Sequence, residues 1–241
     1  MKAFELPVGC ACCGLSRRQV LKAGCASCAA ALGLTAAPKL LRAAQDAGKV
    51  RVRILYALHA PQQPRPDWPN VGFDFVPVMD RINSQLAKRF PGFEFLPTMA
   101  QGPDQAKKIV EDDKSAAIDG YLVYQMNCWN RVVQTIATTG KPVLYADFQY
   151  AGSGGFLVYS AAFLRNKTSN VGFIGSSNFD DLVEAVKCFE QVKKGGSAGD
   201  FAAAVARVRV ARTPKPGDLT CKPDAVKTIP VEECLRRMKE A

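Results

Sequence analysis

Histidine is almost missing from this chain, since His59 is the single histidine among 241 residues. A metal centre built from several histidines is therefore excluded, and a Ser-His-Asp triad would have to use His59. The nucleophile-elbow motif G-x-S-x-G, the Walker loop and the dinucleotide fingerprint G-x-G-x-x-G do not follow any predicted strand. The sequence therefore carries no strong catalytic or nucleotide-binding signature.

The chain also lacks a basic patch with interleaved aromatic residues, although its net charge is +10 at pH 7. Residues 1–48 hold six basic and two acidic residues, so they carry +4 and the remainder carries +6. The basic residues of the remainder are spread along predicted helices and the tail, as on a solvated surface. Nucleic acid is therefore not expected as a partner.

The apolar run near the start of the chain, Ala23–Ala37, has fifteen residues and is too short to span a bilayer. Arg17 and Arg18 precede it in the segment Ser16–Lys22, which resembles the twin-arginine export signal. An ordinary amphipathic first helix, the alternative, would need a polar face that this run lacks. We therefore predict that residues 1–48 are a signal and linker, that the twin-arginine translocase is a partner, and that the protein is periplasmic or otherwise exported.

Cysteines divide the chain in the same way, because five of the nine lie before residue 29. Cys25 and Cys28 have a metal-binding spacing, but they lie inside the apolar run, so no metal is expected there. In the body of the chain, Cys221 and Cys234 are candidates for a disulfide in an oxidising compartment. Their approach cannot be read from the sequence.

The segment from Ile118 to Tyr150 is the clearest structural signal in the chain. Gly120–Met126 and Pro142–Phe148 are short runs of apolar and aromatic residues, typical of strands covered on both faces. Between them apolar residues recur at helical spacing, and the helix is expected to stop at Gly140. The segment is therefore predicted to be a βαβ unit with parallel strands and a right-handed crossover.

The rest of the body alternates in the same way. Further strands are predicted at Val50–Leu58, Phe93–Met99 and Val171–Gly175, and further helices at Phe75–Phe90, Pro103–Ser115 and from Ser177 or Asn178 to Val192. Ala151–Gly155 is predicted to be a bend. Phe156–Arg165 is compatible with a helix or a strand, and Ala202–Arg212 with a short helix that runs into a strand.

This alternation predicts an α/β fold class, a doubly wound parallel five-stranded sheet of the Rossmann or flavodoxin type with strand order 2-1-3-4-5. Residues 49–212 are predicted to form this domain. Residues 213–241 are expected to be a loop-rich extension that leads into a downstream domain.

Polar and aromatic residues gather at the predicted carboxyl ends of the strands, where ligands bind in open parallel sheets. Amides, a carboxylate and an indole are the groups that recognise sugar hydroxyls and the apolar face of a sugar ring. A carbohydrate site is therefore predicted from His59, Gln125, Asn127, Trp129, Asn130, Asp147, Gln149 and Tyr150, with Ser176, Ser177 and Asn178 nearby.

Each of these residues also has a purely structural interpretation. Trp129 can cover the helix that follows it, and Asn127 or Asn130 can cap that helix. His59 can be a structural residue at a strand end, and Cys128 is expected to be an inert buried thiol. The prediction therefore rests on the cluster rather than on any one member.

The stretch Ile118–Asn127, the helix after it and Gly140–Gln149 together resemble the N-terminal Rossmann-like domain of L-fucose and L-arabinose isomerases. The resemblance covers Val50–Lys194, and the export signal is a departure from that family. It implies an aldose–ketose isomerase whose divalent metal, often manganese, is held by carboxylates and a histidine of later domains. No metal ligand or catalytic residue is therefore assigned within this chain. The first domain is implied to bind sugar and to pack homo-oligomers.

These observations predict an exported sugar-isomerase-like protein, in which this chain is the N-terminal carbohydrate-binding and assembly domain and is not catalytic alone. The alternative is a periplasmic module that binds or senses a small carbohydrate without turnover. A structural domain that mediates assembly is a third interpretation.

Overall fold

A computed structural model describes residues 48–66, 68–149, 151–214 and 229–240 of the protein. The predictions made for Arg17, Arg18, Tyr150 and Cys221 lie outside these residues. Within them, no helix has both the length and the apolar character needed to cross a membrane.

Five parallel strands form one sheet in the order β2-β1-β3-β4-β5, which confirms the predicted fold class and strand order. The strands are β1 (Val50–Ala57), β2 (Phe93–Ala100), β3 (Gly120–Gln125), β4 (Val143–Asp147) and β5 (Val171–Ile174). Every residue of β3 and β4 is buried. Their continuous apolar and aromatic composition suits this position, because central strands of a parallel sheet are covered on both faces.

Helices cover both faces of the sheet. They are α1 (Val76–Arg89), α2 (Pro103–Asp112), α3 (Val132–Ala137), α4 (Ser153–Arg165), α5 (Phe179–Lys187), α6 (Phe189–Lys193), α7 (Ala198–Arg212) and α8 (Val231–Glu240). One core lies between the sheet and α1, α5, α6 and α7, and the other lies between the sheet and α2, α3 and α4. No residue of α8 is buried.

Three local predictions differ from the structure. The bend at Ala151–Gly155 is wrong in part, because α4 begins at Ser153 and also includes the segment that was compatible with either helix or strand. The strand at the end of Ala202–Arg212 is wrong, since α7 is helical throughout. The single helix ending at Val192 is divided into α5 and α6, which meet at Cys188.

The difference at α7 has a physical cause in its first turn. The Ser197 hydroxyl accepts a hydrogen bond from the backbone N–H of Asp200, whose carboxylate accepts one from the backbone N–H of Ser197. This capping box fixes the start of the helix. Phe201 and Val205 then follow four residues apart and are buried against the sheet, so the helical arrangement continues.

Candidate functional site

The crevice between the carboxyl ends of β1 and β3 is the topological switch point of this sheet. The side chain of Asn127 closes it. Its Oδ1 atom accepts a hydrogen bond from the backbone N–H of His59 at 3.0 Å, and its Nδ2 atom donates to Gln63 Oε1 and to the Trp68 carbonyl oxygen, each at 3.2 Å. Because Asn127 and Gln63 are buried, the usual ligand position of this fold is filled by the protein's own loop.

Gln125 and Asn130 are hydrogen-bonded to the same asparagine. The side-chain amide of Gln125 donates to the backbone carbonyl oxygen of Asn127, and the side-chain amide of Asn130 donates to the same oxygen at 2.9 Å. The Tyr145 hydroxyl donates to Gln125 Oε1 at 2.8 Å. These buried amides are therefore engaged within the protein and hold the end of β3 in place.

Trp129 has a different environment. Its φ angle of 65° lies in the left-handed region, which is uncommon for a bulky residue. Its side chain is 61% exposed, and its ring packs edge-on against Tyr159 of α4 with 6.2 Å between ring centroids. The indole therefore lies on the α4 side of the sheet.

Replacing Asn127 by alanine is expected to lower the free energy of unfolding by about 2 kcal/mol, because the buried partners of its amide lose their hydrogen bonds. Urea unfolding measures this change. Trp129→Ala is the matched control, and it is expected to cost less than about 1 kcal/mol because it removes an exposed ring with one aromatic contact. Equal losses in the two variants would contradict a structural role for the Asn127 amide.

A pocket of about 320 Å³ opens on the face of the sheet that α1 and α5 cover, at the carboxyl ends of β3, β4 and β5. We call it the rim pocket. Its lining comes from α1 (Val78, Arg81, Ile82, Gln85), from the strand ends and the residues after them (Tyr124, Asp147, Phe148, Gln149, Ser176, Ser177), and from α5 (Phe179, Leu182). Apolar walls with a few converging polar groups are typical of small-molecule pockets.

Asp147 ends β4 and belongs to the lining of the rim pocket, and it is largely buried, with 9% of its surface exposed. Its Oδ2 atom accepts a hydrogen bond from the Ser153 hydroxyl at 2.8 Å. Its Oδ1 atom is buried and has no hydrogen-bond partner among the described residues. Burial raises the pKa of this carboxyl, while the Ser153 hydroxyl acts in the opposite direction by stabilising the charged form. A buried oxygen without a donor is unfavourable unless water or a ligand supplies one.

Tyr124 brings a phenolic hydroxyl to the same pocket. Desolvation raises the pKa of this hydroxyl to about 12, with a further contribution from Asp147, while Arg81 opposes the shift. The charges of Asp147 and Arg81 therefore both affect the pKa of the Tyr124 hydroxyl. Since no residue in the described ranges hydrogen-bonds to the Tyr124 hydroxyl, it is a neutral donor and acceptor available to the pocket.

The predicted site residues fall into separate groups. Two of them line the rim pocket, Asp147 and Gln149. Four meet in the hydrogen-bond network around the end of β3, through side chain or backbone: His59, Gln125, Asn127 and Asn130. Trp129 lies on the α4 side, and Tyr150 is outside the described residues.

Sequence analysis does not identify Tyr124, Arg81 and Gln85 as members of the site. Tyr124 looks like a core residue because it lies in a continuous apolar strand. Its position one residue before the end of β3, however, brings its hydroxyl to the rim pocket. Arg81 and Gln85 are four residues apart, so they lie on one face of α1, and this spacing is the signal that was available.

A divalent metal does not fit the described residues. No group of three or more His, Cys, Asp or Glu side chains comes together among them. In the rim pocket a cation would meet the single carboxylate of Asp147 together with the positive charge of Arg81. No step through a metal is therefore derived, and the manganese implied by the isomerase resemblance remains a prediction for later domains.

Comparison with known proteins provides no assignment of family. No family model, curated protein or solved structure matches the chain. The resemblance to sugar isomerases therefore remains a prediction.

Proposed function

We propose that the rim pocket binds a small carbohydrate, and that the protein is an exported, sugar-isomerase-like domain for carbohydrate binding and assembly. One observation carries the proposal: the buried Oδ1 atom of Asp147 has no donor among the described residues, in a pocket that also presents the Tyr124 hydroxyl. A sugar hydroxyl supplies that missing donor. The oxygen is closed off from solvent, so binding requires that the Asp147 side chain turn away from Ser153 and toward the ligand.

The other groups of the rim pocket support the same ligand class. Sugar hydroxyls both donate and accept, and so do the Tyr124 hydroxyl and the amides of Gln85 and Gln149. Phe148 and Phe179 provide aromatic surface for the apolar face of a sugar ring. A volume of about 320 Å³ lies at the small end of ligand pockets, which favours a single ring over an oligosaccharide.

The assembly part of the proposal is supported by α4. This helix has apolar residues on all sides, and a helix of that kind is normally covered. Its outward residues Leu157, Val158 and Leu164 are exposed. A second copy of the chain is the partner that the proposal assigns to this face, and sedimentation velocity with Leu157→Lys tests that assignment.

Sugar binding by the rim pocket is tested with Asp147→Asn. We expect the full chain to bind L-fucose or L-arabinose saturably in ligand-observed NMR and calorimetry. The variant should bind about tenfold more weakly, because a hydrogen bond to a charged acceptor is replaced by one to a neutral amide. Asp104→Asn, which removes an exposed carboxylate of α2, is the matched control and should bind like the wild type. Absence of saturable binding to the wild-type chain would overturn the proposal.

The pH dependence of stability separates this binding role from a structural one. Since burial raises the pKa of Asp147 in the folded state, the folded protein binds the proton more tightly than the unfolded chain does. The wild type therefore loses stability as pH rises from about 4, the ordinary carboxyl pKa, through the raised value. Asp147→Asn lacks this loss. In urea unfolding, the stability of the variant relative to the wild type should therefore be higher at pH 7 than at pH 3.5. The opposite trend would mean that the carboxylate stabilises the fold.

The alternative function is a periplasmic module that binds or senses sugar without turnover. Sugar binding that is unaffected by chelators supports this alternative. An in-frame downstream segment with Glu, Asp and His ligands supports the isomerase.

A further inference from the structure

We infer that the ligand of the rim pocket is a monosaccharide carrying one anionic group, with its hydroxyls on Asp147 and Tyr124 and its anion on Arg81. This inference rests on the proposed function and narrows its substrate class. The charges around the pocket support it.

Arg81 is the first of these charges. It lies on α1, lines the rim pocket and is exposed, and it makes no ion pair with any residue of the described ranges. Its charge reaches the pocket interior, because it opposes the rise in the pKa of Tyr124. A guanidinium presents paired N–H donors that match the two oxygens of a carboxylate or a phosphate. Arg81 therefore offers an unused anion-binding group at the mouth of the pocket.

The two acidic groups in the first turn of α5 are already engaged. Asp180 accepts from Arg89 at 3.0 Å, and Asp181 accepts from Arg212 at 2.5 Å and from the Ser176 hydroxyl at 2.6 Å. These carboxylates therefore do not neutralise Arg81.

Asp147 does not exclude an anionic ligand either. Its carboxylate accepts a hydrogen bond from the Ser153 hydroxyl at 2.8 Å, which offsets part of the charge that a second anion would meet. The pocket thus has hydroxyl-binding groups at its floor, where Asp147 and Tyr124 end their strands, and a cation on its α1 wall. A sugar acid or a sugar phosphate matches this arrangement, whereas an amino sugar would be repelled by Arg81.

The test compares four probes with the full chain at low salt: glucose, glucuronate, glucose 6-phosphate and inorganic phosphate. We expect at least one anionic sugar to bind about fivefold more tightly than glucose, as a partly exposed ion pair allows, and the preference should fall with added salt. Preference for glucuronate identifies a carboxylate, and preference for glucose 6-phosphate identifies a phosphate. Inorganic phosphate should compete weakly, because it lacks the hydroxyls that bind the floor.

Arg81→Gln should abolish the preference, so that neither anionic sugar binds this variant more tightly than glucose does. Lys88→Gln makes the same charge change at an exposed position of α1 outside the pocket lining and should retain it. A preference that persists in Arg81→Gln would overturn the inference, as would phosphate competing as strongly as glucose 6-phosphate. If glucose binds as tightly as both anionic sugars, the inference fails while the proposed function stands. If none of the three sugars binds but L-fucose or L-arabinose does, the inference fails and the proposed function stands. If no sugar binds at all, the proposed function itself fails.

Discussion

Asp113→Ala is expected to lower the free energy of unfolding by about 3 kcal/mol, because it leaves a largely buried guanidinium without its partner. Asp113 follows α2 and is 2% exposed. Arg53 of β1 donates to it from Nε at 3.1 Å to both carboxylate oxygens, and from Nη2 as well. This bonding raises the pKa of Arg53 in the wild type. The guanidinium also stays charged in the variant, because arginine is not deprotonated near neutral pH. Urea unfolding at pH 7 measures the loss.

The adjacent residue provides the control for this prediction. Asp112 is paired with Lys108 across one turn of α2, with both side chains mostly exposed. Solvent-exposed pairs of this kind contribute little, so Asp112→Ala should change the free energy of unfolding by less than about 0.5 kcal/mol. Similar losses in the two variants would show that removal of any carboxylate near the end of α2 is destabilising, and that the Arg53 pair has no special weight.

Gly152→Ala is expected to cost about 3 kcal/mol of stability and to abolish ligand binding in the rim pocket. A Cβ atom at this position would lie 1.8 Å from the Gln125 carbonyl oxygen, so the backbone itself must move. The start of α4 would shift away from the end of β3, and the Ser153 hydroxyl bonded to Asp147 would shift with it. Thermal unfolding and the sugar titration used for Asp147→Asn measure the two losses.

Gly154 provides the matched control on the same helix. A Cβ atom there would meet only the Cys128 Sγ atom, at 3.3 Å, and this side chain can adjust. Gly154→Ala should therefore leave stability within about 1 kcal/mol of the wild type, since alanine also has the higher helix propensity. Normal stability and sugar binding in Gly152→Ala would contradict the packing that holds α4 against β3.

The sheet could be predicted because its signals are local. β3 and β4 are short, continuous apolar runs separated by a helical pattern, and this combination leaves few arrangements other than a parallel crossover. The bounds of α4 could not be predicted for the opposite reason. Its buried face and its exposed face are both apolar, so the sequence shows no period that separates a helix from a strand.

The candidate site was only partly predictable. Asn127 comes shortly after β3 and Asp147 ends β4, so their placement at the carboxyl edge could be derived from the chain order. The sequence does not reveal which polar side chains are already hydrogen-bonded within the protein. The Asn127 amide accepts a hydrogen bond from a backbone N–H and donates one to a loop carbonyl oxygen. The same amide groups would bind a sugar. Tyr124 is the converse case, because its ring belongs to the core and only its hydroxyl reaches the rim pocket.

The pairing of β3 with β4 fixes which strand residues lie next to the rim pocket. Tyr124 is opposite Ala146 and Gln125 is opposite Asp147, and a slip of one residue would exchange the side chains of the two faces. The groups contributed by the strands are thus fixed by the backbone ladder, whereas Arg81 and Gln85 sit on a helix surface that tolerates exchange. Under the proposed function, substitutions on this one helical surface would change which sugar binds, while the strand residues at the base of the pocket stay the same.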